Sequence, residues 1–230
     1  MPETDKQTKA PPGFTLLEIM VAVFIFAVVM TTLFSSFGSF ITTGQALTAS
    51  VLVQESLQIP MGVIEADFTN LVVDQPPRYK TPRFSAEPDP FRMAGEEANI
   101  GGKTFSTLLF ASLNHIPSGG VQAVGIARIQ YHVRANADQG WDLCRSDSLR
   151  PFPDNPSTDC DPVLFRNVME FFVVFYDTEG KESARWDTQN SETDFRFPTS
   201  VGITITVKTG SGQQTITTRF PLAVDRTVEN

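Results

Sequence analysis

One carboxylate stands alone in the most apolar part of this sequence. Glu18 is the only ionisable side chain between Lys9 and Glu55. A carboxylate near the start of a membrane-length apolar segment costs about 2–3 kcal/mol on insertion unless it finds a partner. Because an ordinary anchor would be more stable in lipid without this charge, Glu18 is a candidate functional residue.

The two cysteines are the next residues whose chemistry the sequence predicts. Cys144 and Cys160 are the only cysteines, and they flank a loop rich in proline and aspartate, residues 146–159. In an exported domain, two cysteines at this separation are most often joined. A disulfide that closes a loop of about 15 residues stabilises a fold by roughly 3 kcal/mol. We therefore predict a Cys144–Cys160 disulfide rather than a redox or zinc CxxC site.

Residues that would support catalysis are few. Neither of the two histidines, His115 and His132, belongs to a GxSxG, HExxH or phosphate-loop motif. Asp138 and Asp142 are a candidate carboxylate pair, but they flank a predicted hairpin turn whose chemistry explains them better. The acidic residues lack EF-hand spacing. The sequence thus predicts no enzyme, no catalytic residue, no metal site and no cofactor.

The segment that carries Glu18 is long enough to span a membrane. Residues 14–37 would form about 36 Å of helix, against a hydrocarbon core of about 30 Å. Thr31, Thr32, Ser35 and Ser36 weaken its lipid preference toward the end, and such hydroxyls can bond back to helix carbonyls. We interpret the segment as an anchor that can leave the bilayer for another apolar environment.

Two simpler interpretations of this segment remain open at this point. A cleaved secretory signal would use the positive charges of Lys6 and Lys9 and a small-residue site near Ser39. Against it, Glu18 interrupts the apolar region and no Ala-x-Ala sequence closes it. A plain single-span anchor fits the length but gives no role to Glu18 or to the Pro-Pro-Gly at 11–13.

Residues 13–22, with the sequence GFTLLEIMVA, closely resemble the prepilin-peptidase signature of type IV pilins and type II secretion pseudopilins. The resemblance implies that the leader is cut after Gly13 and that Phe14 becomes an N-methylated N-terminus. It implies that Glu18 assists subunit assembly. Cleavage exposes an α-ammonium, with which Glu18 of a neighbouring subunit can pair inside an apolar bundle.

The chain after the anchor predicts a helix and then a loop. Leu57, Met61, Ile64, Phe68 and Leu71 recur at helical spacing and predict a core-facing stripe, within a helix that runs to about residue 73. Pro60 predicts a kink or restart. Residues 74–103 are rich in proline and glycine and predict a long loop with little regular structure.

From residue 104 the pattern changes to β. Hairpin turns are predicted at 137–140 and 208–212, and Val168 to Tyr176 reads as a strand buried on both faces or covered by the helix. The predicted fold class is α+β: a long N-terminal helix, spanning the membrane in its first half, packed on antiparallel β-sheet in a pilin-like manner. The candidate strands are 104–112, 122–134, 141–145, 163–176, 201–209 and 213–224.

Charge and topology complete the domain prediction. A net charge of −8 argues against nucleic acid as a partner. Lys6 and Lys9 place the N-terminus in the cytoplasm. The residues after the anchor are therefore expected on the opposite side of the membrane. The predicted parts are a leader (1–13), a transmembrane half-helix (14–37), a periplasmic half-helix (38–73), a Pro-rich loop (74–103) and a periplasmic β-domain (104–230).

The sequence of the predicted β-domain resembles one particular type of pseudopilin. Residues 128–134, 141–145 and 168–177, then Trp186 and Pro198, resemble the J-type minor pseudopilin of type II secretion. This resemblance implies a single-pass protein of the bacterial inner membrane that joins a pseudopilus tip complex, initiates fibre assembly and helps export folded proteins. The implied partners are the I-, K- and H-type minor pseudopilins, the major pseudopilin, prepilin peptidase, the inner-membrane assembly platform and secreted substrate.

Two alternatives to that function follow from the sequence. A minor pilin of a type IV pilus or DNA-uptake machine shares the N-terminal motif and differs in its neighbouring genes. A signal-anchored periplasmic binding module or enzyme belongs to a different class and predicts an uncut N-terminus without pilin-like partners.

Overall fold

The computed structural model describes residues 15–75, 79–81, 89–116, 124–153, 162–210, 212–224 and 226, with the backbone alone for 37–56. The chain divides into two compact units, Met1–Gln54 and Glu55–Asn230. Helix α1, Leu16–Thr69, extends from the first unit into the second.

In the first unit, α1 contains one segment that is long and apolar enough to cross a membrane, Leu16–Ser36. Its large apolar side chains are exposed, as expected of a surface that needs lipid or other helices around it. Thr31 Oγ1 donates to the carbonyl oxygen of Ala27 (2.7 Å), and Thr32 Oγ1 to that of Val29 (2.8 Å). These bonds confirm the prediction for the two threonine hydroxyls, which are satisfied within the helix.

The second unit is built on two antiparallel sheets. The six-stranded sheet has the order β5-β4-β3-β2-β1-β8, and the four-stranded sheet the order β10-β9-β6-β7. A 3₁₀ turn, Ser191–Thr193, lies between β8 and β9. The strands are β1 Ala94–Ile100, β2 Lys103–Ser112, β3 Ala127–Ala135, β4 Trp141–Leu149, β5 Val163–Phe165, β6 Val168–Tyr176, β7 Glu182–Ser183, β8 Trp186–Asp187, β9 Ser200–Thr209 and β10 Gly212–Pro221.

The core lies where the last turns of α1 meet both sheets. Ile64 and Phe68 are buried on the stripe that the helical spacing predicted. The Phe68 ring stacks on Phe110 of β2 (centroids 4.9 Å apart) and on Phe220 of β10 (4.8 Å). One helical aromatic therefore joins the two sheets, and the predicted α+β, pilin-like layout is confirmed.

Both predicted hairpin turns are confirmed, because β3 pairs with β4 and β9 with β10 in antiparallel register. At the first turn, Asn136 Oδ1 accepts hydrogen bonds from the backbone N–H of Asp138 (3.0 Å) and Gly140 (2.8 Å). An Asx side chain that replaces a backbone acceptor in this way is a common reason for a tight turn.

Several sequence predictions were wrong in detail. The predicted loop 74–103 contains β1 in its last part, because each residue of 94–100 pairs with a residue of 103–109 in β2. The helix passes through Pro60 without a restart, so a kink at this proline stays a prediction, and the helix ends at Thr69 rather than near residue 73. A proline removes one helical hydrogen bond, and the packing of Met61 and Ile64 on the core is retained.

The predicted strand 163–176 is two strands in different sheets. Asn167 adopts a left-handed backbone conformation (φ 54°), which ends β5 and lets the chain enter the other sheet as β6. Strand β6 is not buried on both faces. Its buried residues alternate with partly exposed ones, so only the face toward the core is fully covered.

Candidate assembly site

Glu18 lies in the first turn of α1. Thr15 precedes the helix, and its Oγ1 accepts from the backbone N–H of Glu18 (3.3 Å) as a helix cap does. The Glu18 side chain is exposed along with its apolar neighbours. A carboxylate in the first turn interacts favourably with the helix dipole, and its exposure leaves it available to a partner outside this chain.

The other predicted residues of the N-terminal site and one cysteine cannot be placed. Gly13, Phe14 and Cys160 lie outside the described residues. Cys144 lies on β4 and is fully buried, and no free cysteine occurs in the part of the chain that the structure describes. Cleavage, N-methylation and the Cys144–Cys160 pairing therefore stay predictions.

The candidate carboxylate pair does not form. Asp142 Oδ1 accepts from Asn136 Nδ2 (2.9 Å), whereas Asp138 uses only its backbone N–H on the same Asn136. The two aspartates thus serve the hairpin turn, as the sequence predicted. Within the described residues, no group of three or more histidine, cysteine, aspartate or glutamate side chains could hold a metal ion.

A buried polar network that the sequence analysis missed connects α1 to the six-stranded sheet. Asp67 and Arg145 are both fully buried. Arg145 donates through Nε to Asp67 Oδ2 (2.8 Å) and through Nη2 to Asp67 Oδ1 (2.9 Å). The Tyr131 hydroxyl donates to Asp67 Oδ2, and Asn114 Nδ2 donates to Oδ1 (2.6 Å). Four donors therefore fill the acceptor sites of this one carboxylate.

The network continues toward the surface through a second carboxylate. Arg145 Nη1 donates to Asp147 Oδ2 (2.7 Å), which also accepts from the backbone N–H of Ile116 (2.9 Å). Asp147 Oδ1 lies 3.0 Å from His115 Nδ1. Asp147 thus holds the segment after β2 through His115 and Ile116. His132, by contrast, lies on β3 facing away from this network and is partly buried rather than fully solvated.

Burial and charge in this network shift the pKa of Tyr131 and of Arg145. Burial first, and then the charge of Asp67, raises the pKa of the Tyr131 hydroxyl well above its usual value. Burial alone would lower the pKa of Arg145, but its bonds to Asp67 and Asp147 outweigh burial and raise it. Tyr131 is therefore neutral and Arg145 charged, which is the state that the hydrogen bonds require.

One sequence signal could have found the network. Asp67 stands beside Phe68 on the core-facing stripe of α1, where a charge is costly unless paired. Arg145 lies two residues after the buried Leu143 on β4, so the two side chains point to the same face of the sheet. Neither residue has a partner nearby in sequence, and only the sheet register brings them together.

A second buried arginine fixes the end of the described chain. Arg226 donates to Asp89 Oδ2 (2.7 Å) and to the carbonyl oxygens of Thr188 (2.7 Å) and Phe195 (2.6 Å). Its guanidinium carbon lies 3.6 Å from the centre of the Tyr79 ring. This contact ties Arg226 to the first part of the Pro-rich loop.

Two models of known protein families match this chain. A family model described as Type II secretion system (T2SS), protein J matches residues 35–220, and one described as Prokaryotic N-terminal methylation motif matches residues 12–34. A comparison with curated proteins finds no match. The two family matches confirm the resemblance to the J-type minor pseudopilins. This chain, with its apolar N-terminal helix and two-sheet domain, belongs to the type II secretion system protein J family.

Proposed function

We propose that this chain is a minor pseudopilin of the pseudopilus tip complex, which initiates fibre assembly and helps export folded proteins. The observation that carries the proposal is the order of the two family matches: a methylation motif over the apolar helix, then protein J from residue 35 onward. Its partners would be the I-, K- and H-type minor pseudopilins, the major pseudopilin and secreted substrate.

The membrane topology is part of the same proposal. Leu16–Ser36 would cross the bacterial inner membrane once, with the domain after it in the periplasm. The basic residues of the first segment, Lys6 and Lys9, support this orientation, because basic residues remain on the cytoplasmic side. The leader and the transmembrane half-helix keep the boundaries predicted above, whereas the periplasmic half-helix ends at Thr69 and the Pro-rich loop ends where β1 begins at Ala94.

Processing would convert the precursor into a subunit. Prepilin peptidase would cut between Gly13 and Phe14, and N-methylation of Phe14 would retain the positive charge of the new terminus. Glu18 would then pair with the α-ammonium of a neighbouring subunit as the inner-membrane assembly platform inserts the chain into the fibre. Each charge offsets the desolvation cost of the other inside an apolar bundle.

The role proposed for the molecule is mechanical. The chain would supply one helix for lateral packing and one β-domain for contacts at the tip, and would make and break no bonds. The protein J match covers the domain as well as part of the helix, which favours type II secretion over a type IV pilus or DNA-uptake machine. Only the shorter methylation motif is common to both.

The test is the substitution Glu18→Leu in the full-length chain, expressed in membranes with the other pilin-like subunits. Removing the carboxylate removes an insertion cost of about 2–3 kcal/mol, so insertion and cleavage should be normal. Intact mass should show a chain that starts at N-methyl-Phe14. Crosslinking to the other subunits should weaken, because the neighbour's ammonium has lost its partner.

The matched control is Glu18→Asp, which keeps the charge and should retain more of the association than Glu18→Leu. The defect should also be milder than that of the same change in the major subunit, because a tip subunit has a neighbour on one side only. Undiminished association with secretion intact would show that Glu18 is not the assembly contact. An uncut N-terminus would contradict the proposal as a whole.

A further inference from the structure

Strand β10 lies at one end of the four-stranded sheet, and no other strand of the described chain pairs with its outer side. The N–H of Leu222, just after the strand, donates to the carbonyl oxygen of Thr199 beside β9 (2.9 Å). In an antiparallel ladder, residues that exchange hydrogen bonds alternate with residues whose N–H and C=O groups point away. Counting back from Leu222, the β10 residues whose backbone groups point outward are Gln213, Thr215, Thr217 and Arg219.

This outer side of β10 has none of the usual protection of an edge strand. Natural proteins block such edges with charged residues, proline or a bulge. Strand β10 has no charged residue before Arg219, and it pairs with β9 along its whole length without a register shift. Pro221 occupies the last outward position, where its missing N–H leaves the pairing with β9 intact. Among the described residues, the outward backbone groups have no backbone partner, so the edge can accept one more strand.

A second copy of β10 fits this edge in one particular register. When two identical strands pair antiparallel about a two-fold axis at Ile216, Thr215 lies opposite Thr217 of the second copy. Gln213 then lies opposite Arg219 of the second copy. This register uses every outward residue of β10 in both copies.

The neighbouring symmetric registers lose part of the pairing. A two-fold axis at Thr217 would set Gln213 opposite Pro221, which has no N–H to donate. An axis at Thr215 would set Arg219 beyond the end of the other strand. The axis at Ile216 is therefore the one that the backbone groups favour.

The side chains agree with this register. Ile216 is half-buried against the core, and Ile216 of the second copy would cover part of its exposed surface. The two copies of Arg219 would lie about 20 Å apart along the strands, so like charges do not meet. Each Arg219 is also held on its own sheet, because its guanidinium carbon lies 3.6 Å from the centre of the Tyr176 ring and its Nε donates to Ser200 Oγ (2.7 Å).

We propose that two copies of this chain pair through β10, antiparallel about Ile216, so that their four-stranded sheets join into one. Each facing pair of outward residues exchanges two backbone hydrogen bonds. The interface is isologous, as in most homodimers. A second copy is favoured over an unrelated strand because the edge is its own complement: threonine meets threonine, isoleucine meets isoleucine, and an amide meets the cation. The inference goes beyond the proposed function and does not depend on it.

The first experiment places a cysteine at the two-fold axis of the full-length chain in membranes. Facing residues that exchange no hydrogen bonds have Cα atoms about 4.5 Å apart, which a disulfide can join. Ile216→Cys, treated with copper–phenanthroline, should therefore give a disulfide-linked dimer on a non-reducing gel. Mass spectrometry should find the two Cys-containing β10 peptides joined.

The matched control is Gln214→Cys, on the same face of the same strand. In the proposed register Gln214 lies opposite Thr218 of the second copy, so the two introduced thiols would be about 13 Å apart along the strands. This variant should give at least about tenfold less dimer than Ile216→Cys. Equal dimer from both variants, or no dimer from Ile216→Cys, would overturn the inference.

A second pair of variants separates pairing from folding. Thr217→Pro, made together with Ile216→Cys, removes an N–H that β9 does not use and should reduce the dimer at least about tenfold. Thr217→Val keeps that N–H and should retain the dimer. Both changes remove the contact between the hydroxyls of Thr217 and Thr204 (3.2 Å), so this loss is matched.

The thermal unfolding midpoint of Thr217→Pro should lie within about 4 °C of that of Thr217→Val. Undiminished dimer in the proline variant would contradict the pairing. If Thr217→Pro fails to fold, the comparison of Ile216→Cys with Gln214→Cys still decides the inference.

A third measurement identifies what lies on the edge. Gln213 is exposed, and a photo-crosslinking amino acid in its place should capture a second copy of the chain. Capture of a different pilin-like subunit instead, or a crosslink within the same chain, would overturn the inference. Either result would leave the proposed function standing, because that function is tested through Glu18.

Discussion

Asp67 illustrates what a buried charge requires. Its carboxylate is removed from water by the core on one side and the six-stranded sheet on the other, and each oxygen accepts two hydrogen bonds. A buried pair of this kind adds little net stability compared with apolar residues of similar size. Removing one partner nevertheless destabilises the fold strongly, because the other charge is left buried and unpaired. We therefore expect the network to act mainly by excluding alternative packings of α1.

Removing the Asp67 charge should be more harmful than removing the whole ion pair. We expect Asp67→Asn to destabilise the fold by about 3–5 kcal/mol, because Arg145 then remains buried without a counter-charge. The double variant Asp67→Leu, Arg145→Met should lose less than that. Urea unfolding of the full-length chain in detergent, followed by the fluorescence of Trp141 and Trp186, measures both. A double variant less stable than Asp67→Asn would contradict this account.

Tyr131 should make the fold sensitive to alkali. Because its pKa is raised in the folded state, the contribution of Tyr131 is fully present below about pH 10, where unfolded tyrosine ionises. Above that pH the unfolded chain loses a proton that the folded chain retains, so stability falls as pH rises. The unfolding midpoint should decline less steeply between about pH 9 and about pH 11 in Tyr131→Phe than in the parent. Equal slopes would contradict the prediction.

At the scale of elements, one glycine sets how closely the two sheets approach. Gly95 of β1 is buried, and a Cβ atom at that position would lie 2.3 Å from Cζ of Phe175 on β6. The Phe175 ring also packs near Trp186 of β8, with centroids 6.1 Å apart. The absence of a side chain at Gly95 therefore makes room for an aromatic ring of the opposite sheet.

Gly95→Ala should destabilise the fold by about 1–3 kcal/mol, because the added methyl group forces the Phe175 ring to move within a packed core. Gly62→Ala is the matched control. Gly62 lies on the exposed side of α1 with no atom near its Cβ position, so alanine should stabilise the helix by about 1 kcal/mol. Denaturant unfolding of both variants checks the pair, and similar effects of the same sign would contradict the packing argument.

The disulfide belongs to the same scale because it would join a strand to a loop. Cys144 is fully buried on β4, opposite His132 of β3. If Cys144 and Cys160 are linked, non-reducing peptide mapping should find their peptides joined. Cys144→Ala and Cys160→Ala should each then cost about 3 kcal/mol of stability. Free thiols at both positions in protein from the exported compartment would contradict both the bond and the proposed topology.

For the whole molecule, the sequence predicts what local periodicity controls. Three patterns are each visible within about twenty residues: the apolar run that carries Glu18, the stripe from Leu57 to Leu71, and the alternation of apolar residues with threonine at 203–207 in β9. They lead to the fold class and to the candidate assembly residue without knowledge of the tertiary structure. The family signature at Gly13 and Phe14 is equally local.

What the sequence does not predict depends on pairing between distant segments. Strand β1 contains few apolar residues, and its pairing with β2 holds it in the sheet. The break at Asn167 is one left-handed residue inside an apolar run. Asp67 and Arg145 are 78 positions apart, and Arg226 and Asp89 are 137 apart. A local pattern can mark Asp67 as a charge on a buried stripe, but it does not identify the partner, because only the tertiary structure brings such residues together.

The two-pronged contact between Asp67 and Arg145 also fixes an angle. Successive residues of an α-helix are rotated by about 100° around its axis, so a slip of one position would turn the carboxylate away from the sheet. A single hydrogen bond would tolerate some rotation of the helix, but a planar guanidinium that donates to both carboxylate oxygens does not. Within the second unit, the Asp67–Arg145 contact thus restricts the rotation of the last turns of α1 against the six-stranded sheet.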